Sequence, residues 1–224
     1  MVMEIISELG SGQSGTVYKA LYNGEIVAVK ARFPIMGRTV SYKKDELDRV
    51  NEIEVLLKLL PICFPYAVCM LDAFMNDGWL YIITDFIDGY DLLSFENKDF
   101  SDKPLKELVK GLHAIHDIGI AHRDIHGKNV MYDKDIGIYR YIDFGVASPN
   151  PTKADYKKDI TNLANLLKEY YFYFRDMKKI YGVITPEEQS IYINVDTINK
   201  FTDLMVEDFE RAYKIVDTIK VNEK

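Results

Sequence analysis

Apolar and polar positions alternate along the first third of the chain and then settle into three- and four-residue spacing, predicting strands first and helices afterwards. Ile5 to Leu9 and Thr16 to Leu21 read as strands on either side of a glycine turn, Gly10-Ser11-Gly12-Gln13-Ser14-Gly15. Asn23-Gly24 is a two-residue hairpin signal, because both residues tolerate positive φ, and Glu25 to Ala31 is its β-branched return strand. Phe33 to Ser41 is expected to be an irregular connection. From Tyr42 to Leu60 the spacing turns helical, with Leu47, Val50, Ile53 or Glu54, and Leu57 on one face, and Pro61 ends the run. Val68 to Phe74 and Trp79 to Phe86 are two further strands around an Asn76-Asp77-Gly78 turn. Residues 1–86 are thus predicted to form a lobe of five antiparallel strands and one helix.

Ile87-Asp88-Gly89-Tyr90, residues 87–90, is the predicted connection to a second lobe, 91–224, within one domain spanning 1–224. There Leu105, Leu108, Val109, Leu112 and Ile115 mark a helix closed by Gly119. Val130 to Tyr132 and Tyr139 to Ile142 read as a strand pair. Asp159 to Phe174 reads as a second helix, whose aromatic end, Tyr170 to Phe174, suits core packing. Thr185-Pro186-Glu187-Glu188 is a helix start, with proline and acids in the first turn. Helical spacing then runs to about Ile219, with a break near Asn194-Val195. The fold class is α+β, with strands gathered in one lobe and helices in the other.

Composition narrows the function. The 224 residues are 48% hydrophobic, which suffices for one large core or two small ones. A net charge of -7 argues against coating nucleic acid. It leaves nucleotide binding open, because a phosphate site needs only local positive charge. Cys63 and Cys69 sit in an apolar stretch and are expected to be buried free thiols. The N-terminal residues lack the apolar core of a signal peptide, and the most apolar window, Val55 to Leu71, is interrupted by Lys58, Pro61 and Pro65, so no membrane span is expected. A cytoplasmic location follows, or the host cytoplasm for a viral chain or secreted effector.

Gly10, Gly12 and Gly15 fit G-x-G-x-x-G, whose bare amides can approach a phosphate. A Walker loop would end in Gly-Lys-Ser/Thr, but Gly15 is followed by Thr16-Val17. A dinucleotide-binding turn would open a helix, but a strand follows here. The glycines therefore read as a flap between two antiparallel strands, or as an ordinary hairpin turn. One hairpin later, Val27-Ala28-Val29-Lys30 places a lysine on an apolar strand. Further on come His122-Arg123-Asp124-Ile125-His126-Gly127-Lys128-Asn129 and Asp143-Phe144-Gly145.

In this order, these four motifs resemble the protein kinase family over residues 5 to about 165, which implies a bilobal kinase fold with ATP and Mg²⁺ as cofactors. The resemblance implies that Lys30 grips the α- and β-phosphates, held by Glu52, which Leu56 and Leu59 follow at +4 and +7. It implies that Asp124 orients or deprotonates the acceptor hydroxyl and that Asn129 and Asp143 hold the metal. Leu9, Val17, Ala28 and Met131 would enclose the adenine, Thr84 would be the gatekeeper, Asp85 and Ile87 would offer their backbones to the base, and Asp91 would reach the ribose. Leu56, Phe144 and His122 resemble a stacked apolar spine, with Asp159 at its base.

Two departures shape the reading. Two residues after Asp124, where Ser/Thr kinases place lysine, stands His126, and Lys128 is the remaining cation of the loop. An Asp-x-His-x-x-Asn loop also resembles aminoglycoside and choline kinases. The stretch from Asp143 to Asp159 is only 16 residues and lacks Ala-Pro-Glu. A trimmed second lobe of this kind is similar to compact viral and bacterial-effector kinases. Three readings follow: a constitutively active Ser/Thr protein kinase, a small-molecule kinase, and a pseudokinase-like binding module. Their expected partners are, besides ATP, a protein substrate, a small-molecule hydroxyl acceptor, or a regulatory protein.

Overall fold

The computed structural model describes residues 3–12, 15–32, 40–94, 101–181 and 192–223; side chains are described within these ranges except in 40–45, 174–181, 192–193 and 222–223. The expected irregular connection from Phe33, the flap tip Gln13-Ser14 and the helix start at Thr185 lie outside the described residues.

β1 (Met3–Gly12), β2 (Gly15–Tyr22) and β3 (Glu25–Arg32) form the predicted meander. Asn23 and Gly24 take φ of 50° and 92°, the left-handed pair that a two-residue hairpin requires. After α1 (Val40–Leu59) and the single turn α2 (Cys63–Tyr66) come β4 (Met70–Asn76) and β5 (Trp79–Asp85). The five strands form one antiparallel sheet in the order β1-β2-β3-β5-β4, as the alternation predicted.

Helix α1 corrects the expected facing. Leu47, Val50 and Leu57 are more than half exposed, whereas Glu52, Val55, Leu56 and Leu59 are buried and Ile53 is half-buried. The helix carries two apolar stripes, and the one continuing from Glu52 through +4 and +7 turns inward. The cysteines correct a second expectation. Ala67 N donates to Cys63 O at 2.5 Å as the chain turns back on itself, and Cys63 and Cys69, with Cα atoms 5.2 Å apart, form a disulfide. Spacing alone did not reveal that the chain folds back here.

The connection after β5 is itself partly a strand. β6 (Gly89–Asp91) pairs with β7 (Val130–Asp133), which pairs with β8 (Ile138–Tyr141), giving three strands where the sequence suggested two. Between β6 and β7 lies α3 (Lys103–Asp117), with Pro104 in its first turn; Leu105, Leu108, Val109, Leu112 and Ile115 are fully buried, as predicted. α4 (Lys153–Tyr181) starts six residues before the predicted helix, because Thr152 and Asp155 exchange the hydrogen bonds of a capping box. Tyr170 and Tyr171 are fully buried in the core. α5 (Val195–Glu207) is capped by Asn194 and α6 (Phe209–Ile215) by Asp208; the chain ends with β10 (Asn222–Glu223) on β9 (Tyr192–Ile193). Among the described residues no helix is long and apolar enough to cross a membrane.

The small three-stranded sheet depends on Gly89. A Cβ there would lie 1.7 Å from the Tyr132 carbonyl oxygen, which cannot retreat without opening the β6–β7 pair. Gly89→Ala is expected to lower unfolding stability by about 1–3 kcal/mol, the usual range for a forced backbone shift. A urea midpoint equal to that of the unsubstituted protein would contradict this.

Candidate active site

Between the large sheet and the helical lobe lies a cleft of about 640 Å³. Leu9, Gly10, Val17, Ala28, Thr84 and Asp85 line it from the sheet, Ile87 from the connection and Asp91 from β6. Met131, Lys128, Asn129 and Asp143 line the opposite side, and Lys30 and Glu52 its inner end. Gly12, Gly15, Asp124 and His126 are not part of the lining. Gly12 pairs with Gly15 at the base of the flap. Gly15 has φ +152° and its absent Cβ would lie 2.2 Å from the Ala31 carbonyl oxygen, so the flap cannot pack on β3 with any other residue there. The apolar wall also contains Val68, Ile82, Phe86 and Ile142, which pattern reasoning did not select. Core and wall use the same side chains, so no sequence signal separates them.

Strand alternation aims Lys30 at the inner end of the cleft. Its Nζ is 2.7 Å from Glu52 Oε1 and 2.7 Å from Asp143 Oδ1. Glu54 instead pairs with Lys58, at 3.2 Å. Burial works against the Lys30 charge, but the two carboxylates outweigh it and hold its pKa above the ordinary lysine value. Burial would by itself raise the Asp143 carboxyl, yet the Lys30 ammonium outweighs it and holds that carboxyl below its usual range. Arg32, two residues beyond Lys30, reaches the other Glu52 oxygen, Nη1 to Oε2 at 2.5 Å. The sequence reading missed this arginine, because a strand-end cation ordinarily points to solvent.

The loop from His122 to Asn129 is held from below. The buried Asp159 on α4 accepts from the backbone amides of His122 and Arg123, each at 2.7 Å, and contacts His116 Nε2 at 3.1 Å. These contacts fix Arg123 at φ +68°, a conformation unusual for a side chain of this kind, immediately before Asp124. Asn129 Nδ2 donates to the Asp124 carbonyl at 2.9 Å and to Asp124 Oδ2 at 3.0 Å. Both bonds use its nitrogen, leaving the amide oxygen available; with the Asp143 carboxylate it makes a pair of hard oxygen donors, which fits Mg²⁺. His126 Nε2 lies 3.4 Å from Asp124 Oδ2, both side chains about half exposed. The His122 and Phe144 rings are 4.7 Å apart, and Leu56 belongs to the same buried cluster.

The short segment after Asp143 is tied down at once. Ser148 and Ala121 exchange backbone hydrogen bonds, and Lys58 Nζ donates to Pro149 O at 2.7 Å. The Arg123 guanidinium meets Asp155 in the first turn of α4, Nε to Oδ1 at 3.3 Å. Nearby, Thr152 Oγ1 donates to Asp155, and the Tyr156 ring packs on His116.

The chain matches the protein kinase domain model over residues 3–164 and belongs to the protein kinase family. It is 32% identical over 157 residues to human serine/threonine-protein kinase 10, covering 66% of this chain and 15% of that protein. It is 32% identical over 155 residues to serine/threonine-protein kinase 1 of Arabidopsis thaliana, 65% of this chain and 17% of that protein. It is 25% identical over 164 residues to the negative regulator of sexual conjugation and meiosis of Schizosaccharomyces pombe, 69% of this chain and 34% of that protein. The chain thus spans about a third or less of the curated relatives it matches.

His122 allows a test of the loop. Burial lowers its pKa, outweighing the nearby carboxylates; Nε2–H donates to Ile142 O at 2.9 Å, and Nδ1 is buried without a partner among the described residues. The folded ring therefore holds a proton less readily than the unfolded chain, which takes one up near pH 6.5. Unfolding stability should fall as pH drops below about 6.5. The His122 imidazole resonances should titrate below the ordinary histidine value; a ring titrating at or above pH 6.5 would overturn the assignment.

Proposed function

We propose that this chain transfers the γ-phosphoryl group of ATP to serine and threonine hydroxyls of proteins, using Mg²⁺, as one kinase domain with lobes 1–86 and 91–224 joined by 87–90. The observation that carries the reading is the meeting of Lys30 with Glu52 and Asp143 at the inner end of a cleft also lined by Asn129, to which Asp124 is bonded. When bound, ATP with Mg²⁺ would supply the activated phosphoryl group and positive charge to offset its oxygens. Lys30 holds the phosphates by charge, and Glu52 keeps Lys30 extended. Asn129 and Asp143 give oxygen to the metal. Asp124, oriented by the Asn129 amide, accepts the hydroxyl proton. The adenine lies among Leu9, Val17, Ala28 and Met131, with Thr84 behind it, the Asp85 and Ile87 backbones at its edge, and Asp91 toward the ribose.

Constitutive activity is part of the proposal. Arg123 already has a carboxylate partner in Asp155, so the loop needs no phosphate to neutralise it. His126 beside Asp124 supports a second reading, a kinase of small-molecule alcohols, because the loop lacks the lysine that would sit near the transferred group of a protein substrate. Lys128 at the cleft wall is the cation nearest to that duty.

Labelled ATP and Mg²⁺ separate the readings. Label on protein hydroxyls that drops about a hundredfold or more in Asp124→Asn is the expected outcome. Label found only on metabolites favours the second reading, and nucleotide binding without turnover in the presence of candidate partners would leave a binding module. Prior treatment with a phosphatase should leave the initial rate unchanged. A rate that climbs sharply once the protein is phosphorylated would end the claim of constitutive activity.

A further inference from the structure

Ala28, Lys30 and Arg32 alternate on one face of β3, so the strand that offers Lys30 to the cleft offers Arg32 to the same side, one pleat further on. Arg32 is only 5% exposed and Glu52 2%. Each Glu52 oxygen has its own cation, Oε1 with Lys30 at 2.7 Å and Oε2 with Arg32 at 2.5 Å. A single strand thus sends two cations to one buried carboxylate. Arg32 Nε is buried and lacks a hydrogen-bond partner among the described residues, so this guanidinium is held in place by its bond to Glu52 and by packing.

Lys30 alone would suffice to pair Glu52, so the second cation needs a purpose. Lys30 and Arg32 carry two positive charges and Glu52 and Asp143 two negative ones, so the cluster is balanced as it stands. A ligand that draws Lys30 and Asp143 away would leave Glu52 underpaired in a site closed to water, where an unpaired charge is strongly disfavoured. With Arg32 present, Glu52 keeps a partner. The trio of Lys30, Arg32 and Glu52 also carries a net charge of one positive unit toward the cleft, whereas Lys30 and Glu52 alone would carry none.

We propose that Arg32 is a positioning residue of the phosphate site: it keeps Glu52, and with it α1, seated against β3, and leaves the Lys30 charge to the phosphates. The proposal rests on the kinase reading only for the identity of the ligand. It predicts an effect on phosphate recognition and none on recognition of the base, which a purely structural arginine would not produce.

The test is calorimetric titration of the full chain with adenosine, ADP and ATP in the presence of Mg²⁺. Arg32→Leu is expected to weaken ADP and ATP about tenfold or more while adenosine stays within about twofold, and Arg32→Lys to recover most of the loss. Arg32→Gln replaces Arg32→Leu should the latter fail to fold. Equal ADP affinity in the variant and the unsubstituted protein overturns the proposal. So does equal weakening of adenosine and ADP, which marks general damage, and so does tighter ADP binding, which marks Arg32 as a competitor for Glu52. An unsubstituted protein that binds ADP but transfers no phosphoryl group sinks the kinase reading and leaves Arg32 standing; one that binds none of the three overturns both.

Discussion

Everything in the cleft depends on where one ammonium group can rest. Lys30 Nζ stands 2.7 Å from a carboxylate on α1 and 2.7 Å from a carboxylate in the helical lobe. Three parts of the fold, the sheet, its long helix and the loop after β8, therefore meet at a single atom. The Glu52 arm is shielded from water, whereas the Asp143 carboxylate is about half exposed, so that arm is screened like an ordinary surface pair, which contributes about 0–1 kcal/mol. Glu52 is the least replaceable member, because both of its oxygens are engaged in a buried setting. Removing one partner from such a pair typically costs about 3–5 kcal/mol.

A second buried carboxylate does for the backbone what Glu52 does for side chains. Asp159 satisfies two consecutive amides, of His122 and Arg123, and so imposes the turn that presents Asp124. One turn earlier on the same helix, Asp155 takes the Arg123 guanidinium. The start of α4 thus holds Arg123 by its main chain and its side chain together, and the capping box with Thr152 fixes where that helix starts.

The residues proposed to carry chemistry were the most legible part of the sequence. Lys30, Asn129 and Asp143 come together in the cleft, and Asp124 is bonded to Asn129, because unusual residue types in a fixed order leave few arrangements. Glu52 was separable from Glu54 by the apolar residues at +4 and +7, which had to face inward with it. The same helix misled where hydrophobicity alone was read: Leu47, Val50 and Leu57 form a regular stripe that faces solvent. Periodicity reports that a face exists and not which way it turns. Arg32, the Cys63–Cys69 bond and the Arg123–Asp155 contact were hidden for a shared reason. Each depends on how the chain folds back on itself, and none has a spacing signature. The third strand of the small sheet, β6, was hidden by its brevity and by the glycine that makes it possible.

The contacts of Asp159 reach back 36 and 37 residues along the chain. Closing a loop of that length costs on the order of 3 kcal/mol of chain entropy before any bond is repaid. The loop carrying Asp124 therefore gains its geometry only when α4 docks, and α4 docks through the same core that buries Leu112, Tyr141 and Tyr170. Order at the site thus leans on order in the helical lobe, because Asp159, which shapes the loop, is buried within it.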